Sequence, residues 1–310
     1  MILEERAYIK MKFSKRMDLF GESIFTTLAN MRSERKKQGL EVIDLSIGAP
    51  NIPPTQEVME TIAKEAMKPE NYLYAIKDSV DLQNTVKEWY ERRYGVTIDP
   101  ETEMTSLLGS QDGLAHLALT LVDEGDIVLV QDPCYPIFRD GPLLAGAKVV
   151  TMPLLKENDY LIDFDMINEK TAQDAKYMIV SYPNNPTCGV ANDEFYNKLI
   201  VFAKKYNIMV LHDNAYSELL FEGPGHSFLE FEGAKDVGIE FNSLSKTYGL
   251  AGARIGFALG NKEIIGKLKS LKSNLDYGMF LPVQKGAIKA LTQDPVSYTH
   301  LRAHETRHDL

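Results

Sequence analysis

Short apolar segments alternate with amphipathic helical segments through most of the chain, and this alternation restricts the fold more than any other feature. The apolar segments are rich in Val, Ile and Leu, as strands of a parallel sheet covered on both faces are. The predicted strands lie within residues 103–111, 126–132, 177–186, 208–216 and 237–246, and the predicted helices within 82–94, 112–122, 133–146 and 192–207. The pattern predicts a three-layer α/β/α domain around a mostly parallel sheet.

The first part of the chain has a different pattern. Residues 17–38 have helical spacing and end at Gly39, and residues 41–51 are predicted to form a short strand that leads into a Gly/Pro loop. The basic run at 32–39 suits the end of this surface helix. We therefore predict an N-terminal arm and helix over residues 1–45 and a large domain over residues 46–295.

Composition and charge exclude several classes of protein. The net charge is −10 and no basic stripe offsets it, which disfavours a nucleic acid partner. Two cysteines are too few for a disulfide framework, and their spacing fits no metal site. The sequence has no apolar run long enough for a membrane span, and its first residues are too charged for a signal peptide. We expect a cytoplasmic protein that binds neither nucleic acid nor membranes.

Residues 296–306, VSYTHLRAHET, break the pattern of the rest of the chain. All eleven match the translation of a transposon-end adapter of the kind used in sequencing libraries. We therefore expect residues 296–310 to be a non-native tail that does not pack into the core, and the native chain to be cut short near Pro295. His300, His304 and His308 have the spacing of a helical metal site, but they lie in this tail and are discounted for that reason.

Polar residues follow four of the predicted strands, at the point where each strand ends. In open α/β sheets, ligands bind beyond the carboxyl ends of the strands. The four groups are Gly109-Ser110-Gln111, Asn184-Asn185, Asp213 with Tyr216, and Ser243 with Ser245 and Lys246. We expect the four groups to meet in one crevice.

The segment SLSKTYGLAGARIG, residues 243–256, places Lys246 among small and hydroxyl residues and Arg254 eight positions later. A desolvated lysine becomes a nucleophile toward carbonyl groups, although most lysines simply extend into solvent. Arg254 and the hydroxyls of Ser243 and Ser245 offer donors suited to a phosphate. The turn at residues 109–111 adds the N–H groups of a helix start. Together these features predict a phosphate pocket beside a reactive lysine.

Asp213 follows a buried strand, where a carboxylate needs a cationic or hydrogen-bonding partner. A protonated pyridine nitrogen would supply that partner. Tyr216 and Asn185 can both reach a phenolic oxygen on the same ring, and Tyr135 can stack on the ring face. Core packing explains Tyr135 equally well when that residue is taken alone. Pyridoxal phosphate carries every group that these residues and the phosphate pocket would bind.

Three motifs, SLSKTYGLAGARIGF, YPNNPT and HDNAYSEL, occur in this order and spacing. They resemble those of class I/II aminotransferases of the fold-type I pyridoxal-phosphate-dependent family, and the similarity runs from about residue 17 to residue 295. The resemblance implies the fold of that family, pyridoxal 5′-phosphate as cofactor, and an amino acid and a 2-oxo acid as substrates. It also implies a homodimer when the chain is full length.

The resemblance also implies a role for each site residue. Lys246 would form the Schiff base with the cofactor, Asp213 would pair with the pyridinium nitrogen, and Asn185 and Tyr216 would contact the ring hydroxyl. Tyr135 would stack on the ring. The phosphate ligands that the resemblance implies are Ser110, Gln111, Ser243 and Arg254, and Ser245 is expected to join them on the strength of its hydroxyl alone. On the substrate side, Gly48 matches a family loop and Asn185 is a second expected contact, while Tyr74 matches the tyrosine that reaches the neighbouring subunit's phosphate.

The sequence departs from the family pattern in three places. Cys188 stands where the family usually has Gly, and the stretch around Tyr74 is one residue shorter than in many relatives. The third departure is that family members continue into a small C-terminal domain, which is largely missing here. That domain carries the arginine that binds the substrate carboxylate, so we expect little or no transamination from the chain as it stands.

Several functions remain open at this level. The sequence around residues 74–82, 109–119 and 141–164 resembles bacterial enzymes assigned to LL-diaminopimelate, with alanine and aromatic aminotransferases nearby. A C–S β-lyase would use the same cofactor residues. An inactive fragment that binds only the cofactor is a further alternative. A regulator's non-catalytic effector domain would need a basic DNA-binding segment before the fold, and the first sixteen residues are too short for one.

Overall fold

The structure is a computed structural model, and it describes residues 11–46, 48, 53–220, 223 and 225–293. The chain divides into two compact units, Met1–Gly48 and Ala49–Leu310. The predicted tail at 296–310 lies outside the described residues. None of the described helices is both long and apolar enough to span a membrane.

The first unit contains a 3-10 helix, Lys15–Leu19, and a helix α1, Ile24–Lys37. The prediction of one continuous helix over 17–38 is wrong, because Phe20 has an extended backbone and Ser23 begins α1 at its N-cap. The predicted strand over 41–51 is wrong for residues 41–46, which form no regular structure; residues 47 and 49–51 lie outside the described part. Asp44 pairs with Arg32 of α1 instead of belonging to a sheet.

The second unit is built around a seven-stranded sheet in the order β1-β7-β6-β5-β4-β2-β3. The strands are β1 (Met104–Leu107), β2 (Ile127–Asp132), β3 (Lys148–Pro153), β4 (Ala175–Ser181), β5 (Met209–Asp213), β6 (Gly238–Ser243) and β7 (Gly256–Gly260). Strand β7 is antiparallel to both of its neighbours, and all other pairs are parallel. The prediction of a mostly parallel sheet is confirmed.

Helices cover both faces of this sheet. They are α2 (Gln56–Ala66), α3 (Val80–Tyr94), α4 (Ser110–Leu121), α5 (Ile137–Ala145), α6 (Glu169–Asp174), α7 (Asp193–Tyr206), α8 (Ala234–Val237), α9 (Leu244–Thr247), α10 (Lys262–Leu275) and α11 (Leu281–Leu291). The described residues also form short 3-10 helices at Pro69–Tyr72, Lys156–Asn158, Phe164–Met166, Phe228–Glu230 and Ala251–Ala253.

The core consists of two apolar clusters, one on each face of the sheet. Successive residues of β2 belong to opposite clusters, because side chains alternate between the faces of a strand. Leu129 packs in the cluster that includes residues of α3 and α7. Val128 and Val130 pack in the cluster that includes residues of α4 and α10. This arrangement confirms the predicted three layers.

The direction of the strands explains where a ligand would bind. Strands β1, β6, β5, β4 and β2 all end at the same edge of the sheet. Because β7 runs the other way, its first residues lie at this edge too, and Gly256 pairs in register with Leu107 of β1 and Ser243 of β6. The segment that carries Arg254 therefore enters the sheet beside the segments that follow β1 and β6.

Candidate active site

Arg254 lies against the start of α4. Its Nη2 donates a hydrogen bond to the carbonyl oxygen of Leu108 at 3.2 Å, and its Nη1 donates one to the carbonyl oxygen of Ala251 at 3.1 Å. Gly109, the N-cap of α4, has a φ of +83°, and a Cβ there would lie 2.4 Å from Nη2 of Arg254. Glycine thus lets the guanidinium pack against the backbone where α4 begins. The arginine and the first N–H groups of α4 form a positively polarised cradle.

Hydroxyl and amide groups line this cradle. Ser110 is the first residue of α4, and Gln111 follows it. On the neighbouring strand end, the buried Oγ of Ser243 accepts a hydrogen bond from the backbone N–H of Ser245 at 3.2 Å. Gly256 lets the backbone at Asn242 and at Ser110 lie close to β7. A Cβ at residue 256 would lie 2.7 Å from the carbonyl oxygen of Asn242 and 3.1 Å from the nitrogen of Ser110.

Lys246 lies in the short helix α9 and is half-buried. Its Nζ lies 5.8 Å from the centre of the Tyr216 ring. Burial, and next the positive charge of Arg254, lower the pKa of Lys246. Both effects favour the neutral amine, which is the form that attacks carbonyl groups.

Asp213 ends β5 and is 6% exposed. Burial raises the pKa of Asp213 to about 7, with a second contribution from the negative charge of Glu240, while a hydrogen bond with Ser110 opposes the shift. Its Oδ1 has no hydrogen-bond partner among the described residues. A buried carboxylate oxygen without a partner is costly unless a ligand completes it.

Asn185 and Tyr216 meet on the same side of the crevice, where Nδ2 of Asn185 donates to the Tyr216 hydroxyl at 3.2 Å. Burial, and then the nearby Asp213, raise the pKa of Tyr216, so the hydroxyl stays protonated. The turn after Asn185 contains Cys188 at a φ of +61°. Glycine adopts this left-handed backbone without strain, which explains why glycine suits this position in the family.

Tyr135 is hydrogen-bonded to the first turn of α4. Its hydroxyl donates to Oε1 of Gln111 at 3.0 Å. Burial raises the pKa of Tyr135, and the charge of Asp213 raises it further, whereas Arg254 lowers it. These interactions bring Tyr135 into the same electrostatic environment as Asp213 and Arg254.

The roles of two further site residues, Tyr74 and Gly48, stay predictions. Tyr74 is 84% exposed, and its ring lies 5.8 Å from that of Tyr277. Gly48 belongs to the first unit, Met1–Gly48.

A buried carboxylate that acts on Asp213 was not predicted from the sequence. Glu240 is fully buried in β6. It accepts hydrogen bonds from the Tyr90 hydroxyl at 2.9 Å, the Ser227 hydroxyl at 2.9 Å and the Phe228 N–H at 2.7 Å, and its Oε2 lies 3.2 Å from Nδ1 of His212. A glutamate inside the apolar segment VGIEF was the available signal, because a charged side chain in a buried strand requires partners.

The comparison with known proteins agrees with this geometry. Residues 41–308 match the family model for aminotransferase class I and II. The chain belongs to this family. The prediction of a class I/II aminotransferase with the fold of the pyridoxal-phosphate-dependent relatives is confirmed.

Curated relatives of this aminotransferase cover most of its length. The LL-diaminopimelate aminotransferase of Aquifex aeolicus is 44% identical over 90% of this chain and 73% of the relative. The enzyme of the same name from Dehalococcoides mccartyi strain 195 is 43% identical over 93% of this chain and 75% of the relative.

Solved structures agree as well. Substrate-bound BacF from Bacillus subtilis is 35% identical, with a TM-score of 0.90 over 94% of this chain and 75% of that protein. A probable N-succinyldiaminopimelate aminotransferase from Thermus thermophilus is 34% identical, with a TM-score of 0.85 over 89% of this chain and 75% of that protein.

Proposed function

We propose that this aminotransferase holds pyridoxal 5′-phosphate in the crevice at the strand ends and moves an amino group between an amino acid of the LL-diaminopimelate class and a 2-oxo acid. The observation that carries the cofactor assignment is the buried Oδ1 of Asp213, which lacks a partner among the described residues in a crevice that also contains Lys246 and the Arg254 cradle.

The residues fit the cofactor at each of its polar groups. The cradle supplies a cation, helix N–H groups and hydroxyls for the phosphate dianion. Asp213 supplies an acceptor for a pyridinium N–H at the bottom of the crevice. The Tyr216 hydroxyl and the Asn185 amide would bind the phenolic oxygen of the ring. The set of phosphate-binding residues comprises Ser110, Gln111, Ser243, Ser245 and Arg254, and Tyr135 would lie on the ring face.

The chain's own groups set up proton transfer. When bound, pyridoxal phosphate supplies an electron sink for the carbanion at the substrate Cα. Asp213 would keep a proton on the ring nitrogen of the bound cofactor, because a buried carboxylate is stabilised by an adjacent cation. Lys246, half-buried and with a lowered pKa, would accept a proton from the substrate Cα as the neutral amine and would then deliver that proton to C4′ of the cofactor.

An exposed group of four aromatic rings is the feature of the surface that a homodimer best explains. Tyr72 packs against Phe280 with ring centres 5.3 Å apart, and Tyr74 packs against Tyr277. All four rings remain substantially exposed. Exposed aromatic clusters of this kind are typical of protein interfaces. We propose that this aromatic surface pairs with a second copy, so that Tyr74 of the partner subunit reaches the phosphate site.

The substrate assignment rests on the names of the curated relatives, and an amino donor panel tests it. A full-length version of the protein, extended by the C-terminal domain, is purified and incubated with a 2-oxo acid and, in turn, LL-diaminopimelate, alanine and an aromatic amino acid. We expect the highest kcat/KM with LL-diaminopimelate and no turnover without the 2-oxo acid. Release of a thiol and a keto acid from a cysteine conjugate without any 2-oxo acid would indicate a C–S β-lyase instead.

A further inference from the structure

Asp112 places a negative charge in the first turn of α4, beside the proposed phosphate cradle. Its Oδ2 accepts a hydrogen bond from the backbone N–H of Leu108 at 2.9 Å, so the carboxylate holds the loop that leads into the helix. An unpaired carboxylate at this position would repel a phosphate dianion bound at the same helix end. The site therefore needs a compensating cation.

Lys272 supplies that cation from α10. Its Nζ lies 2.6 Å from Oδ2 of Asp112 and 2.9 Å from Oδ2 of Asp276, and the Lys272 and Asp112 side chains are only 7% and 8% exposed. His116 lies on the other side, with Nδ1 2.6 Å from Oδ1 of Asp112. The ligand atoms of Asp112, His116 and Asp276 lie within 4.8 Å of one another, as in a metal site. The cation that the two carboxylates face, however, is the ammonium group of Lys272.

A continuous set of hydrogen bonds joins this pair to the phosphate-binding arginine. Lys272 contacts Asp112, and Asp112 accepts from the N–H of Leu108. The carbonyl oxygen of the same residue, Leu108, accepts from Nη2 of Arg254. The N–H of Leu108 is thus bound by the carboxylate of the ion pair, and its carbonyl oxygen is bound by Arg254.

We propose that Lys272 is a positioning residue for the phosphate site. It neutralises Asp112, so that Asp112 can fix the 108–109 loop under Arg254 without repelling the phosphate. The inference rests on the proposed cofactor, and it predicts that Lys272 and Asp112 act on phosphate affinity with opposite signs. A purely structural ion pair would predict that loss of either partner weakens binding.

The test measures the affinity of the cofactor-free protein for pyridoxal phosphate and for pyridoxal, which lacks the phosphate. Inorganic phosphate serves as a third probe, through its competition with pyridoxal phosphate. The variants are Lys272→Met, Asp112→Asn and the double variant. Lys269→Met is the matched control, because Lys269 lies on the same helix and instead contacts the carbonyl oxygen of Glu101.

We expect Lys272→Met to weaken the binding of pyridoxal phosphate and of inorganic phosphate by about tenfold, with little change for pyridoxal. Asp112→Asn should bind phosphate as tightly as the unaltered protein or more tightly, since the amide still accepts from Leu108. The double variant should recover most of the loss, and it provides the comparison with Asp112→Asn if Lys272→Met does not fold. Lys269→Met should leave all three affinities unchanged.

Two results would overturn the proposal: phosphate affinity unchanged in Lys272→Met, or phosphate affinity lowered in Asp112→Asn and in the double variant. Failure of the unaltered protein to bind pyridoxal phosphate would contradict the proposed function itself. The two failures are therefore distinguishable.

Discussion

At the scale of single residues, the environment of Asp213 determines what the crevice can bind. The carboxylate is buried at the end of β5, near the charge of Glu240, and Oδ1 has no partner among the described residues. Such an arrangement destabilises the protein without a ligand, and a bound cation relieves it. The unpartnered carboxylate of Asp213 thus lowers the stability of the cofactor-free protein, and the same carboxylate is available to bind a protonated ring nitrogen.

This environment predicts how the stability of the cofactor-free protein depends on pH. The pKa of Asp213 is about 7 in the folded protein, against 3.8 for the free side chain. Between about pH 4 and pH 7 the folded state holds a proton that the unfolded chain has released, so the free energy of unfolding falls as pH rises. The full effect is about 4 kcal/mol.

Asp213→Asn removes this titration, and chemical denaturation of the cofactor-free proteins at several pH values measures the difference. The variant's stability relative to the unaltered protein should increase from pH 4 to pH 7 and then level off. Asp236→Asn, which removes an exposed carboxylate, serves as the control. A difference for Asp213→Asn that is independent of pH would show that the carboxyl group is not buried as described.

The sequence predicted the site residues that lie in compact local motifs. Lys246 and Arg254 are eight positions apart, and Asp213 and Tyr216 are three apart, so their proximity is a property of one segment each. Glu240 and Lys272 were missed because their partners are distant in the chain. Lys272 contacts Asp112, which lies 160 positions earlier, and only the folded sheet and helices bring the two together.

At the scale of elements, the junction between α4 and the segment before β7 forms the phosphate cradle. Gly109 is essential to this junction because its φ is positive and because Arg254 occupies the space that a side chain would need. Gly266, in contrast, lies in α10, and a Cβ added there would have no neighbouring atom within 4 Å. Substitution by alanine is therefore expected to affect stability in opposite directions at Gly109 and at Gly266.

We expect Gly109→Ala to strain the backbone and displace Arg254, which should lower the stability by about 1–2 kcal/mol and weaken pyridoxal phosphate binding at least tenfold. Gly266→Ala should raise the stability by about 0.5–1 kcal/mol and leave binding unchanged. Chemical denaturation and cofactor titration measure both quantities. Unchanged cofactor affinity in Gly109→Ala would contradict the assignment of the cradle.

Several elements with a clear period were predicted, whereas the amphipathic helices α2, α10 and α11 were missed. The apolar runs of β2, β4, β5 and β6 and the helical spacing of α7 indicated their structures. Strand β3 is an edge strand with mostly exposed or half-exposed side chains, so its apolar signal is weak. Strand β7, GFALG, has glycine at both ends, and its antiparallel direction depends on long-range pairing that no local pattern encodes.

At the scale of the whole molecule, the aromatic surface formed by Tyr72, Tyr74, Tyr277 and Phe280 predicts self-association. Analytical ultracentrifugation should find a dimer. Tyr74→Asp should raise the dimer dissociation constant at least tenfold without unfolding the chain, because the side chain is 84% exposed. Val201→Asp, which alters an exposed apolar residue of α7, is the matched control. Equal association of both variants would place the interface elsewhere.

The central claim is that Lys246 carries the cofactor, and one measurement tests it most directly. The protein is loaded with pyridoxal phosphate and reduced with borohydride, and the modified peptide is then identified by mass spectrometry. We predict a pyridoxyl group on Lys246, in the peptide that contains SLSKTYGLAGAR, and none in Lys246→Ala. A pyridoxyl group on a different lysine, or an unmodified Lys246 after reduction, would contradict the account.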